Sequence, residues 1–383
     1  MTGMPPEGRI GVRLALENGQ IAGVGIEPRP LPPLDRLLRG RPCLEAAQLI
    51  PRLFSLCAEA QTQAALGAMD RALYLTPTPA SQAARTLLVL AETVQEHARH
   101  VLIDGPLLFS QTPDVEAARL IRAHVAALKP MVQAGETNHG TLAEWLERLR
   151  QLVLDHVFGG KDLSAFALTA EIEDWGVAQN CAAARLLAEI RFQGLAGLGV
   201  SNTPLMGHLD AQWLKSALER DESGGFVHRP KTQEGFCRET GPLARQHDHP
   251  LIRAIQSSEG YGLLARFCAR LIELGHAVTA LALTIPLLDA KAKAPAFEGT
   301  GQGIGLAEAA RGRLVHWVRI EDGRIADYRM LAPTEWNFHP DGAFAQGLRG
   351  LKAASHDAAR YLARLQAFAL DPCVSLAVEV YDA

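Results

Sequence analysis

Nowhere do two cysteines stand three positions apart: the six (Cys43, Cys57, Cys181, Cys237, Cys268 and Cys373) are scattered, and no CxxC pair exists. Such sparseness excludes a disulfide-stapled secreted domain. Each cysteine is left as a small buried apolar residue or a thiolate with a function. A surplus of basic charge is lacking too. The 38 Lys and Arg against 42 Asp and Glu give a formal net charge of −4, so there is no electrostatic footprint for nucleic acid. Long apolar runs are missing as well. The best, around Ala277 to Leu288, contains Pro286 and is too short to span a bilayer. From Met1 to Glu7 no charged segment leads into an apolar stretch, so no secretory signal is read there. These absences point to a cytoplasmic chain with neither nucleic acid nor membrane as a partner.

What is present is enough apolar material, 48% of 383 residues, to bury a large core. Ile10 to Glu27 predicts a β-hairpin: Ile10, Val12, Leu14 and Leu16 alternate, Asn18-Gly19 offers a turn, and Ile21 to Ile26 returns. Leu314 to Ile320, Asp322-Gly323 and Ile325 to Leu331 predict a second hairpin. Helical periodicity occupies about 80–103, 113–128, 142–157, 177–192, 260–276 and 344–369. In the first of these, Arg85, Glu92, Glu96 and Arg99 fall on the polar side. Segments near 195–208, 221–249 and 292–305 are rich in Gly and polar residues and predict loops. The expectation is one domain over 1–383, α+β and predominantly helical. Its small antiparallel sheets come from the N- and C-terminal regions, an arrangement that suggests the termini meet.

Three stretches carry a more specific pattern. Leu306-Ala307-Glu308-Ala309-Ala310-Arg311-Gly312 is followed by His316, the second hairpin, and Pro333-Thr334-Glu335-Trp336-Asn337. Asp371-Pro372-Cys373 stands near the C-terminus, with Leu376 and Glu379 behind it. Arg52-Leu53-Phe54-Ser55-Leu56-Cys57 is followed by Gln61. In this order they resemble the nickel–iron hydrogenase large subunit, in which E-x-P-R-G precedes a hairpin and P-[ST]-x-W-N. Thr240-Gly241-Pro242-Leu243-Ala244-Arg245 is similar to that family's V-G-P-L-A-R. The C-terminus resembles D-P-C-x-x-C-x-x-H, with Leu376 and Glu379 at the second cysteine and the histidine. The early stretch resembles R-x-C-x-x-C-x-x-x-H, with Phe54 and Gln61 replacing the first cysteine and the histidine. Glu7-Gly8-Arg9 resembles E-G-H, and Asp35 falls near a metal-binding glutamate.

The resemblance implies a hydrogenase-like helical core and a crippled metal site. In the family four thiolates hold nickel and iron, and the iron carries cyanide and carbon monoxide. Cys57 matches a bridging position and Cys373 a nickel-only one; Phe54 and Leu376 offer no lone pair. Nickel is therefore not expected. Two thiolates suffice for a single iron only if Cys373 serves it. Arg311 matches an arginine over the diatomic ligands and Thr334 a hydroxyl that donates to cyanide. Glu379, Asp35 and Glu7 are the oxygen donors that the resemblance offers to a metal. With little chain beyond Glu379, processing by the C-terminal protease that acts on many family members is not expected. The accessory branch of the family, the HupK/HoxV type, fits these features. It implies a non-catalytic scaffold carrying Fe(CN)2(CO) in transit, partnered by hydrogenase maturation proteins and the hydrogenase large subunit.

Plainer readings stand beside these. Cys57 also suits a helix core, Arg311 a pair with Glu308, Thr334 a bond within its own turn, and Glu379 an exposed strand position between Val378 and Val380. Cys43, Cys181, Cys237 and Cys268 read as structural, and Trp336 as core. At the level of function the rivals are a redox enzyme with an altered metal site and a metal-free structural subunit of a redox complex.

Overall fold

The structure is a computed structural model that describes residues 8–133, 138–161, 166, 169–178, 181–288 and 297–383. Contacts within the chain gather into two compact units. The first comprises Met1–Thr76, Leu198–Ala244 and Ala296–Ala383, and the second Pro77–Gly197 and Arg245–Pro295.

In the first unit, β1 (Arg9–Glu17) and β2 (Gln20–Glu27) form the expected hairpin. Asn18 and Gly19 both hold positive φ, 50° and 72°, the geometry that matches a two-residue turn to the strand twist. Next come the short helix α1 (Leu34–Leu38) and α2 (Ala58–Ala72). A second sheet follows, with β3 (Gly301–Ala309), β4 (Gly312–Glu321) and β5 (Arg324–Leu331) antiparallel in the order β3-β4-β5. The chain closes with α3 (Pro333–Asn337), α4 (His356–Leu370) and β6 (Ser375–Asp382).

β6 joins β1, so the two ends of the chain do meet, but in parallel, with Arg9 opposite Ser375 and Leu16 opposite Asp382. The antiparallel expectation thus holds for the β3-β4-β5 sheet and fails for this one pair. A parallel neighbour requires a crossover rather than a hairpin, and the whole chain between the two strands provides it. The inward-facing Ile10, Val12 and Leu14 of β1 pack with Phe338, Phe344 and Ala363.

Residues 301–309, partly inside a segment expected to be a loop, are a strand instead. Gly301, Gly303 and Gly305 share one strand face, since side chains alternate, and glycine weakens any strand signal. Their purpose lies in what they face. A Cβ on Gly301, Gly303 or Gly305 would overlap the carbonyl oxygens of Ala72, Ala68 and Ala64. Those alanines recur every four residues, one stripe along α2, and each is fully buried. Helix and strand backbones therefore touch with no side chain between them. Cys57 caps the N-terminal end of α2, so this contact locates its sulfur.

In the second unit, helices Pro79–Arg99 and Leu263–Thr284 pack together. The stretch Leu263–Leu287 is long and apolar enough to cross a membrane, yet 72% of that window is buried within the protein. It carries the buried charges Arg266, Arg270 and Glu273, so it is a core helix. Glu92 and Glu96, expected on a polar face, are buried as well. So is His97, which lies 2.8 Å from Glu273 and 3.1 Å from Arg270. Arg270 donates to Nδ1, so the Nε2 proton goes to Glu273. Burial pushes the Glu273 carboxyl up, but Arg245 and His97 outweigh it and hold it well below the usual carboxylate range. His97 turns inward here because the facing helix supplies its partners.

Replacing Gly305 or Gly303 with alanine should destabilise the fold by about 1–3 kcal/mol, the range for overpacking. Gly207, with open space around its Cβ position, should accept alanine within about 0.5 kcal/mol. Urea midpoints measure both, and an unchanged midpoint for Gly305→Ala would contradict the backbone contact.

Candidate functional site

One turn into α2, Gln61 lies under the Cys57 sulfur and donates to it from Nε2 at 3.6 Å. Its amide is held in that sense from behind. Gln61 Oε1 accepts from His316 Nε2 on β4 at 2.7 Å, and His316 Nδ1 accepts from the Tyr328 hydroxyl on β5 at 2.5 Å. Burial pushes His316 down to about 3 and Tyr328 well above its ordinary value. The imidazole is therefore neutral and the phenol protonated near neutral pH, the states this chain of bonds requires.

Cys373 arrives from the opposite end of the chain. α4 ends at Asp371, in the left-handed region at φ 51°, and Pro372 cannot continue the helix. The Cys373 sulfur comes next, just before β6. The Thr334 hydroxyl, in the first turn of α3, lies 3.3 Å from it. Arg29 Nη1 donates to the same sulfur at 3.2 Å, while Arg29 Nε donates to Glu335 Oε1 at 2.8 Å. Arg29 and Glu335 are 2% and 5% exposed. Burial alone would lower the Arg29 pKa, but the charges of Glu335, Cys373 and Cys57 raise it above the ordinary arginine value. Arg29 is thus a permanent cation within electrostatic reach of both sulfurs. Arg29 Nη2 and Glu335 Oε2 are buried with no hydrogen-bond partner among the described residues. Arg29, Thr334 and Glu335 are among the residues that line a crevice of about 10 Å³, room for roughly one water.

Other expected site residues fall in different places. Arg311 is buried, with Nε 3.4 Å from Asp371 Oδ2. It steadies the turn that leads into Cys373, while Glu308 pairs with Arg313 at 2.5 Å. Glu379 is not brought to the cysteines. It is exposed on β6 opposite Arg13, beside Arg9 and Glu27. Four residues of strand, roughly 13 Å, separate it from Ser375, so the exposed-strand reading describes it. Asp35, on α1, is also elsewhere, lining a separate polar cleft of about 450 Å³ with Arg36, Asp221 and Arg329. Glu7 lies outside the described residues. Phe54 is 3% exposed, and Leu376 packs on the core of the β1-containing sheet. Both cysteine replacements therefore serve packing. Trp336 is core, fully buried. Cys43, Cys181, Cys237 and Cys268 are buried. Burial pushes the thiols of Cys43 and Cys268 up to about 11 and about 12, and Cys237 donates to the Asp341 carbonyl.

Arg29 and Glu335 had no assigned role in the sequence. A signal for Arg29 existed in Pro28-Arg29-Pro30 directly after a strand, because flanking prolines immobilise the backbone of a charged residue. Chemically, the site offers two soft sulfur donors, one fixed guanidinium and a hydroxyl.

Because folded His316 titrates near 3 and an unfolded histidine near 6.5, the unfolded chain binds the extra proton between those values. This contribution is fully present above about pH 6.5 and falls as pH drops, by up to roughly 1.4 kcal/mol per unit. Urea unfolding between about pH 6 and 4 should show a shallower decline for His316→Gln than for the parent. Equal slopes would mean that His316 is not held neutral.

Comparison with known proteins identifies the family. Residues 251–379 match the family described as Nickel-dependent hydrogenase. The fold superposes on the Ni-Fe-Se hydrogenase of Desulfovibrio vulgaris Hildenborough with a TM-score of 0.69 and 18% identity, covering 94% of this chain and 95% of that one. HupK of Bradyrhizobium diazoefficiens is 30% identical over 98% of this chain and 97% of its own. HoxV of Cupriavidus necator is 33% identical over 96% of this chain and 95% of its own. Full-length similarity at that level, on a hydrogenase large-subunit fold, places the chain in the hydrogenase expression/formation protein family of the HoxV/HupK type.

Proposed function

We propose that this chain is a cytoplasmic, non-catalytic scaffold in nickel–iron hydrogenase maturation. It takes the Fe(CN)2(CO) unit from upstream maturation proteins onto Cys57 and Cys373 and passes it to a hydrogenase large subunit. The observation that supports this most is that two cysteines from distant parts of the sequence act on one buried guanidinium. Phe54 and Leu376 meanwhile fill the other two cysteine positions of the family motif.

The donor set suits such a cargo. Soft thiolates favour iron, and binding releases their protons. Gln61 directs an N–H at Cys57, a contact that stabilises a sulfur once it carries negative charge. The Arg29 guanidinium answers the charge on Cys373. The Thr334 hydroxyl and the unpartnered Arg29 Nη2 are donors for the anionic nitrogen of cyanide. Arg311 acts through the Asp371-Pro372-Cys373 turn that it steadies. Of these two sulfurs only Cys57 matches a position that bridges to the iron in the family, a poorer seat than two bridging thiolates and one that gives transfer its direction. The same deficit leaves no four-thiolate seat for nickel and hence none for hydrogen turnover.

An infrared spectrum of protein purified without oxygen from a hydrogenase-producing host tests this reading. Carbon monoxide and cyanide bands are expected, accompanied by iron and no nickel in metal analysis, and absent from a Cys57→Ser/Cys373→Ser variant. A bandless protein from a host whose hydrogenase maturation depends on the chain would sink the carrier role in favour of a metal-free scaffold.

A further inference from the structure

We propose that Arg29 is the specificity-determining residue of the two-cysteine site: it admits iron that carries anionic ligands and turns away bare divalent ions such as zinc and nickel. The proposal rests on the reading of Cys57 and Cys373 as ligands and adds what selects the metal.

By donor type alone, two thiolates such as Cys57 and Cys373 would attract zinc. Thiolate and carboxylate are its ordinary ligands, and divalent affinities place nickel and zinc above iron. A scaffold built only from these groups would fill with the wrong ion. Arg29 changes that in two ways. It occupies the donors directly, Nε on Glu335 at 2.8 Å and Nη1 on the Cys373 sulfur at 3.2 Å. It also places a fixed positive charge beside the sulfur, where the interior does little to screen repulsion of a dication.

The side chain has little freedom to withdraw. It is 2% exposed, flanked by Pro28 and Pro30, and tied at both ends. Moving it would leave the Glu335 carboxylate buried without its cation, a strongly unfavourable state.

Divalent iron with two cyanides meets a different reception. The unit carries no net charge, so the guanidinium does not repel it as it does a bare ion. It also brings acceptors. Arg29 Nη2 is a buried donor without a partner among the described residues, and a cyanide nitrogen supplies a charge-assisted one. The Thr334 hydroxyl already stands 3.3 Å from the Cys373 sulfur. The ion pair itself is built for such a guest. Arg29 Nε and Glu335 Oε1 are used on each other, while Arg29 Nη2 and Glu335 Oε2 keep no partner among the described residues. Lysine, lacking the planar fork, could not engage carboxylate, sulfur and guest together.

The test is metal binding to the full chain, purified without metal under anaerobic conditions, with zinc and nickel titrated against a chromogenic chelator. Arg29→Met removes the charge and keeps much of the volume. An Arg29→Met/Glu335→Gln variant also removes the orphaned carboxylate, and it decides the matter if the single variant does not fold. Circular dichroism and melting temperature check both. The expected result is zinc affinity at least tenfold higher in the variants than in the parent, with that gain lost on adding Cys57→Ser and Cys373→Ser. Equal zinc affinity in parent and variants overturns the proposal, as does a gain that survives loss of both cysteines. The infrared measurement separates the two readings. Bands in the parent with zinc affinity indifferent to Arg29 leave the carrier standing and remove the filter. A cysteine-dependent zinc gain in a protein that never shows bands does the reverse.

Discussion

The backbone contact between α2 and β3 is the constraint on which the first unit depends. An alanine stripe and three alternate glycines let a helix lie against a strand with no side chains between them. Because that approach is set by backbone, the helix has one place to sit, and its N-terminal cysteine is located with it. The same seating brings Gln61 against His316 and so determines which face of its amide the Cys57 sulfur meets. A looser, side-chain-filled interface would leave both choices to rotamers.

The second sulfur is located by a different device. The end of α4, the left-handed Asp371 and Pro372 turn the chain, Arg311 steadies the turn, and the pairing of β6 with β1 anchors its far side. Arg29 then joins the halves, since it leaves β2 between two prolines and reaches Cys373 and Glu335. The buried pair of Arg29 and Glu335 is an expensive arrangement, and apolar residues of similar size often serve stability better. Under the proposed selection of guests by charge, the pair has a use that apolar residues could not supply. In the second unit, buried charges are likewise matched in kind, with Glu273 answering Arg245, and His97 answering Glu273 and Arg270.

Much of this was legible in the residues because the signals were local. Alternation with Asn18-Gly19 and Asp322-Gly323 marked both hairpins, and linear motifs marked Thr334 and Cys373. β3 was hidden because glycines that permit close approach also erase the strand signature. Glu92 and Glu96 are buried against the polar-face reading because periodicity records polarity alone, whereas Glu96 is met by Gln95 and Arg99 of its own helix. Arg29 was missed for a related reason: its partners are 306 and 344 positions away, and no spacing rule spans that distance. Glu379 and Asp35 carried the right chemistry for a metal, yet strand pairing and α1 put them elsewhere. Donor type can be read from sequence, whereas convergence depends on the fold.

The parallel pairing of β6 with β1 has a temporal side. Arg29 and Cys373 are separated by 344 positions, and at ordinary translation speeds roughly 17–70 s pass between their syntheses. Throughout that interval a growing chain holds at most one of the two sulfurs, so the Cys57–Cys373 pair does not yet exist. Only when the final strand docks does the second sulfur come to rest beside a cation that is already in place. For the proposed filter, the order of synthesis would add a kinetic safeguard: the pair of sulfurs and its neighbouring cation come into existence together.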